Sequence, residues 1–452
     1  MSLTHRYLAR VVIEAETPLA VGTGKRDVFT DQLIAKDVNG LPYIPGTALA
    51  GILRHSLTTD ENYDQINELF GYQAKKSENS VGSRLIISSA MIVNKEGMVM
   101  DGLHDSVFID RFISYFNNLP VRQHVKINEN GVAEKHGKFD NQIVFKGTRF
   151  CFEMELLTDG IKDNDIWNEI FSTLQSPDFR IGGGTRNGYG SIMVVQIKER
   201  QLNLRDSLEI YLEKTSELND EFWETVEEVE LKDYSDQFDT YTLQLVPEDF
   251  FLFSSGFSSQ HADMTYVTEP VIDWTTSPPS FTESKVLIPA SSVKGAIAHR
   301  VAFHYNKLNE IYADKIEGGL PKTAENKAVK ALFGYLSDDD SGQRGNVLLS
   351  DVFVESTQSK LLNHVAIDRF TGGALSGALF NEEVVYGNKE TITLEIRVKK
   401  DTIDNENGTI IKSFVNALSD ICNGLLPLGG GTMRGHGIFT GKLIKNGEEI
   451  QL

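Results

Sequence analysis

The chain has 452 residues, 40% of them hydrophobic and 24% charged, which exceeds one ordinary core, suits two or three domains, and excludes a disordered or fibrous protein. No apolar run approaches the roughly 18 residues a membrane helix needs, and Met1 to Arg10 lacks an apolar signal core, so a cytoplasmic protein without a membrane partner is expected. A net charge of −20 argues against a uniformly basic nucleic-acid binder, yet Asp206 to Asp239 alone holds 13 acids and 2 bases, so the excess is mainly local.

In chain order, Arg6 to Glu14 is β-branched and apolar enough for an opening strand. Ile44-Pro45-Gly46-Thr47 precedes helically spaced apolar residues, which predicts a helix with Thr47 at its N-cap. Arg84 to Val93 reads as a second strand and Gln142 to Leu157 as a long third one. Ile166, Trp167, Ile170, Phe171 and Leu174 recur at helical spacing, and a last strand follows the glycine-rich loop Gly182 to Gly190. The acidic stretch 206–239 reads as a partly helical connector anchored by Ile210, Leu212, Phe222 and Trp223. The same order then returns. A strand at Tyr241 to Val246 leads to a helix N-capped by Ser291, then to strands at Val347 to Val354 and Val384 to Val398. A helix through Ile411, Phe414, Val415 and Leu418, the glycine loop Gly429 to Gly437 and a last strand complete it. Each half is βαββαβ, so the fold class is α+β: two tandem ferredoxin-like (RRM-like) domains at 1–205 and 240–452, whose open sheets suit single-stranded RNA. Cys151 and Cys422 lie far apart with no Cys/His cluster, so neither a disulfide framework nor a structural zinc site is expected.

The halves also match residue for residue. Ile44 to Gly51 is echoed by Ile288 to Gly295, Leu69-Phe70-Gly71-Tyr72 by Leu332-Phe333-Gly334-Tyr335, and Ile109-Asp110-Arg111-Phe112 by Ile367-Asp368-Arg369-Phe370. Gly137 to Gly147 matches Gly377 to Gly387 without a gap, and the two glycine loops match each other. Five matches in one order, offset by about 240 to 263 residues, identify an internal duplication.

Leu41 to Thr47 with its following helix, the Ile-Asp-Arg-Phe segments, the glycine loops and, above all, Val365 to Tyr386 resemble the RAMP superfamily. The likeness is to the guide-RNA-binding backbone subunits of type III CRISPR effector complexes, and two units on one chain resemble the fused type III-D architecture. The resemblance implies guide RNA, complementary target RNA and other type III effector subunits as partners. It also implies thumb-like hairpins pressed between bases of the guide–target duplex. The first hairpin is expected to be the larger, since Ile113 to Lys135 inserts where the second copy has only Thr371 to Ser376.

Helices starting at Thr47 and Ser291 leave N–H groups unpaired and favour an anion. Lys294 adds a charge one turn into the second helix; the first copy has Ala50 there, where the family usually has Lys, and carries Arg54 opposite Ala298 instead. The GxGxxG spacing fails at Asn187 and Arg434 and no Gly-Lys-Ser/Thr triplet exists, so a nucleotide fingerprint is excluded. The glycines are read instead as letting backbone approach RNA, with Arg186 and Arg434 supplying charge and Tyr189 and His436 a stacking face. By resemblance Arg111 and Arg369 lie near the guide, while Asp110 and Asp368 read as structural ion-pair members.

The resemblance also implies a cleaving Asp in the loop after the first strand, acting with a divalent metal, Mg2+. The matching position is Asp31, which would hold the metal, with Asp27 as the near alternative; the second copy places Glu269 opposite Asp31, with Asp263 and His261 upstream. RNA carries its own nucleophile in the 2′-hydroxyl, so alignment and charge stabilisation suffice, and a 2′,3′-cyclic phosphate and a 5′-hydroxyl are the implied products. Three rivals stand beside this reading. One is a non-catalytic guide-RNA scaffold. Another is a guide-processing endonuclease using the recurring His55 and His299. The third is a ferredoxin-like module without RNA, which the acidic charge would suit.

Overall fold

The computed structural model describes residues 3–28, 30–74, 80–104, 110–312, 314, 322–336, 342–355, 358–386, 391–400, 403 and 408–451. Ile109 and Gly387, each part of a sequence match, lie outside the described residues.

The first copy runs β1 (His5–Ala15), α1 (Gly46–Leu57), α2 (Tyr63–Phe70), β2 (Leu85–Ile87), β3 (Met91–Ile92), α3 (Arg111–Ser114), β4 (Val121–Ile127), β5 (Ala133–Gln142), β6 (Arg149–Thr158), α4 (Asn164–Gln175) and β7 (Ile192–Asn203). Its sheet has the order β2-β6-β1-β7 with antiparallel neighbours, and β3 also pairs with β6. Alternation along β1 turns Tyr7, Ala9, Val11 and Ile13 into a core shared with Leu49 and Leu53 of α1 and Ile166, Trp167 and Ile170 of α4. After α5 (Leu208–Glu213) in the connector, the second copy opens with β8 (Phe238–Pro247), β9 (Phe250–Phe251), β10 (Thr268–Glu269), β11 (Ile272–Asp273), β12 (Ser280–Phe281) and β13 (Lys285–Ile288). It continues with α6 (Ala290–Leu308), α7 (Lys327–Phe333), β14 (Gly334–Tyr335), β15 (Gln343–Arg344), β16 (Val347–Leu349) and β17 (Val352–Val354). The chain ends with β18 (Gln358–Ile367), β19 (Ala374–Tyr386), β20 (Ile392–Lys399), α8 (Thr409–Cys422), β21 (Phe439–Lys445) and β22 (Glu448–Ile450). The order β16-β20-β8-β21 repeats that of the first sheet, with β22 added at the edge, so both halves are ferredoxin-like.

The details depart from the sequence reading in four places. Gln142–Leu157 and Val384–Val398 are not single strands: each joins the end of a projecting hairpin, β4–β5 or β18–β19, to a sheet strand, β6 or β20. The second hairpin is the larger, with strands of 10 and 13 residues against 7 and 10, because the extra residues of copy one go into α3 and the 3-10 turn after it. The Ile-Asp-Arg-Phe segments are not equivalent: residues 110–112 precede the first hairpin, whereas 367–370 form the turn of the second. Finally, Thr47 and Ser291 are second helical residues, not N-caps; Pro45 and Pro289 occupy the cap positions without a side-chain bond.

The acidic connector is a docked strap. Phe222, Trp223 and Val226 bury themselves against Leu8 and Leu202, on the sheet face opposite α1 and α4, and Trp223 Nε1 donates to Glu153 Oε1 at 2.5 Å. Ile210 packs alongside, but Leu212 is 69% exposed and anchors nothing. The first copy's platform face is therefore covered.

A second device joins the copies. The β11–β12 hairpin of copy two inserts its apolar residues into copy one: Ile272 joins the first core, and the Phe281 ring stacks on Tyr115 at 4.0 Å with Phe116 and Phe145 around it. Trp274 Nε1 donates to the Gly147 carbonyl at 2.6 Å. Among the described residues no helix is long and apolar enough to cross a membrane.

Candidate functional site

The base of each projecting hairpin is built alike. In copy one the loop after β1 returns to β5, where Asp31 N–H donates to Asp140 Oδ1 (2.8 Å) and Asp140 N–H donates to Asp31 Oδ2 (3.1 Å). In copy two Asp263 N–H donates to Asn381 Oδ1 (2.7 Å) and Asn381 N–H to Asp263 Oδ2 (2.9 Å). One residue on, Gln32 bridges Asn141 and Met264 bridges Glu382, both in parallel sense. Across each hairpin a histidine stacks on a phenylalanine, His124 on Phe139 and His364 on Phe380, with centroids 4.9 Å apart in both. The fold thus pairs Asp31 with Asp263, not with Glu269. Residues 270–284 include the β11–β12 insert that leaves for the other copy, so matching across them picked the wrong carboxylate.

Glu269 has another task. It is 4% exposed and accepts Arg122 Nε at 2.5 Å and Nη2 at 2.6 Å, while Arg122 Nη1 donates to Asp351 Oδ2 at 2.6 Å. Burial works against the guanidinium's charge, but Asp351 and Glu269 outweigh it and hold Arg122 well above its ordinary pKa. The other oxygen of Asp351, Oδ1, accepts the Ala290 N–H that opens α6, at 2.8 Å. The anion expected at that helix start is therefore an internal carboxylate, not a phosphate. Ser291 is half-buried at the helix start, and Lys294, one turn on, donates across the seam to Asn187 Oδ1 at 3.0 Å, where burial lowers its pKa. In copy one Thr47 is exposed at the start of α1, and Arg54 is tied to the Gly71 carbonyl and Asn67.

The glycine loops pack inward. A Cβ on Gly182 or Gly429 would lie 2.6 Å from the Ala20 or Leu252 carbonyl oxygen, so these glycines serve close approach of the protein's own backbone. Tyr189, expected to offer a stacking face, is 1% exposed; its hydroxyl is bonded to His124 Nε2 at 2.8 Å and Arg122 lies over its ring. His436 takes the equivalent place and is 4% exposed, its Nε2 3.4 Å from Oε1 of the fully buried Glu382. Glu382 also receives His364 at 2.8 Å and Arg434 at 2.6 Å. Arg186 is paired with Asp178 at 3.0 Å. Both loops thus brace the hairpins from below.

What remains on the surface is a short list of groups around the hairpins. Asp31 and Asp263 are exposed beside their hairpin bases, and Asp27, also exposed, accepts Thr30 N–H within its own loop. Arg111 is exposed at the start of α3, while Arg369 and the 98% exposed Phe370 occupy the tip of the second hairpin. Asp110 caps α3 and pairs with Lys95, and Asp368 holds the hairpin turn through Phe370 and Thr371 N–H groups. His55 is exposed on α1, and His299 is bonded to Thr323.

The donor set sets the terms for a metal. Among the described residues no group of three or more His, Cys, Asp or Glu side chains could hold an ion. Asp31 and Asp140 present two carboxylates, each with one oxygen outside their mutual bonds, which suits Mg2+ completing its shell with water and substrate phosphates; Asp263 has an amide neighbour instead. Asp140, Arg122 and Glu382 were missed in the sequence. The Asp/Asn alternation between Asp140 and Asn381 was the visible signal for the first.

A family model described as the RAMP superfamily matches residues 12–193 and 280–440, one stretch in each copy and together most of the chain. No curated protein matches it. Domains of this superfamily are ferredoxin-like, and it includes CRISPR-associated RNA-binding subunits and some ribonucleases. With the same sheet order, the same hairpin base and the same inward glycine loop in both halves, the chain belongs to the RAMP superfamily, which it carries as two tandem copies.

Proposed function

We propose that the chain is a backbone subunit of a type III CRISPR RNA-guided effector, binding guide RNA across domains 1–205 and 240–452 and cutting complementary target RNA beside each hairpin. The observation that carries this reading is the duplicated clamp: in each copy an exposed loop aspartate is tied by reciprocal bonds to the base of a projecting hairpin. A hairpin that splays the target strand beside a fixed carboxylate meets the alignment requirement for RNA's own 2′-hydroxyl to attack phosphorus and expel the 5′-oxygen, giving a 2′,3′-cyclic phosphate and a 5′-hydroxyl. Asp31 and Asp140 would hold the divalent ion, whose chemistry is to stabilise charge developing on the phosphate oxygens. Other effector subunits complete the assembly, and Arg111, Arg369 and Phe370 supply guide or target contacts.

Target cleavage by the assembled complex, mapped with Asp31→Asn, Asp263→Asn and the double variant, tests the proposal. Each single change is expected to silence a different cut by a factor on the order of 100 or more, as loss of a key charge-stabilising group does. Asn381 in place of a second carboxylate favours a weaker metal hold in copy two, so its cut should need more Mg2+. Cutting that persists at every position in the double variant would reduce the chain to a guide-RNA scaffold.

A further inference from the structure

A cavity of about 440 Å³ opens between the copies on the side of α4, and none of the hairpin residues lines it. His55, Thr173 and Arg186 line it from copy one, Arg344 and Lys399 from copy two, and Tyr234 from the connector. Its volume falls within the range of small-ligand sites, roughly 300–1,000 Å³.

The electrostatics of its wall run against those of the molecule. Three cations converge on a single carboxylate: Arg186 at 3.0 Å, Lys399 at 3.2 Å and Arg344 at 3.5 Å from Asp178. The exposed Glu169 is the other acid on the lining, so the wall keeps a cationic excess in a protein of net charge −20. Arg186 carries two buried guanidinium nitrogens, Nε and Nη1, with no hydrogen-bond partner. Buried donors left unpaired are costly, and a turn of this guanidinium toward the cavity would let an anion with several acceptor oxygens satisfy them. Burial and then the neighbouring Arg344 charge lower the pKa of Arg186, a repulsion that a bound anion relieves. Ser172, Ser176 and Asn346 add neutral polar groups to the wall.

We infer that this seam cavity binds a phosphate-bearing ligand of nucleotide size, held by Arg186, Arg344 and Lys399. Because the grip comes from both copies, an occupant also fastens them together. The inference stands apart from the cleavage reading, since it uses none of the hairpin residues.

The test is calorimetric titration of the full chain with inorganic phosphate, AMP and a single-stranded RNA, on the wild type, Thr173→Glu and Arg344→Gln/Lys399→Gln. Thr173→Glu puts a carboxylate on the wall without removing an ion pair, so it decides the matter even where the double variant fails to fold. Saturable AMP binding that either change weakens at least tenfold supports the site. Displacement of AMP by RNA then makes RNA backbone phosphate the source, and its failure to displace makes a free nucleotide the source. No saturable binding of any of the three, or binding that Thr173→Glu leaves unchanged, overturns the inference.

Discussion

Arg122, on the first copy's hairpin, meets Glu269 of the second copy fork to fork, with Nη2 2.6 Å from Oε2, while its remaining nitrogen holds Asp351 at 2.6 Å. All three side chains are at most 5% exposed. The triad fixes the first hairpin against the helix start of the second copy, so the spacing of the two clamps is set by a buried ion cluster. Arg122→Met leaves two carboxylates buried without their cation, and such a loss costs about 3–5 kcal/mol. Denaturant unfolding should show that drop, and Arg122→Met combined with Glu269→Gln and Asp351→Asn should recover part of it. A single variant as stable as the wild type would show that the triad does not hold the seam.

The same region makes stability sensitive to mild acid. Burial, then the charge of Arg122, push His124 below the ordinary histidine pKa, with Asp351 opposing; burial, partly offset by Glu382, does the same to His436. Both rings hold a proton less readily in the folded chain than in the unfolded one, which takes up protons near pH 6.5. The unfolded state therefore binds more protons below that pH, so stability is full above about pH 6.5 and falls as pH drops through the depressed folded values. Each histidine contributes at most about 1.4 kcal/mol per pH unit. Melting curves between pH 7.5 and 5 should steepen accordingly, and His124→Asn should flatten the slope; an unchanged slope would refute the assignment.

The alternating strands, the helical stripes and the duplication were legible because they are periodic. Tyr7, Val11 and Ile13 follow the pleat, and Ile166, Trp167 and Ile170 follow the helical turn, so each shows its buried face in sequence alone. What escaped were contacts between residues far apart in the chain, within a copy or between the copies, which have no local signature. Nothing around Tyr189 announces that Arg122 and His124 will bury it, and nothing around Glu269 marks it as the partner of an arginine 147 positions earlier. The paired Ile-Asp-Arg-Phe segments misled for the opposite reason: similar residues serve a helix start in one copy and a hairpin turn in the other.

The strap explains most of the acidity, yet it docks through buried aromatics and an ion pair in which the strap supplies the cation. Trp223 is 2% exposed and its indole donates to Glu153, whose carboxylate also receives Lys214 at 2.6 Å. Trp223→Ala removes that packing and should cost about 3–5 kcal/mol. Limited proteolysis of the variant should cut within 206–239 much faster than in the wild type. Equal rates would mean that the connector is held elsewhere.

Two aromatic residues separate the surface proposed to meet RNA from the scaffold that supports it. Phe370, at the tip of the second hairpin, is 98% exposed, whereas Tyr189 is 1% exposed beneath the first. An exposed ring contributes about 1–3 kcal/mol when a base stacks on it, so Phe370→Ala should weaken binding of single-stranded RNA by that amount in a filter assay. Tyr189→Phe removes only the hydroxyl bonded to His124, which costs about 0.5–1.5 kcal/mol of stability and should leave RNA affinity where it was. The two measurements must cross: affinity without stability for Phe370, stability without affinity for Tyr189. If Tyr189→Phe instead loosened RNA with no change in melting, the inward-facing glycine loop would have to open when RNA binds, and the hairpin would not be the part that reads it.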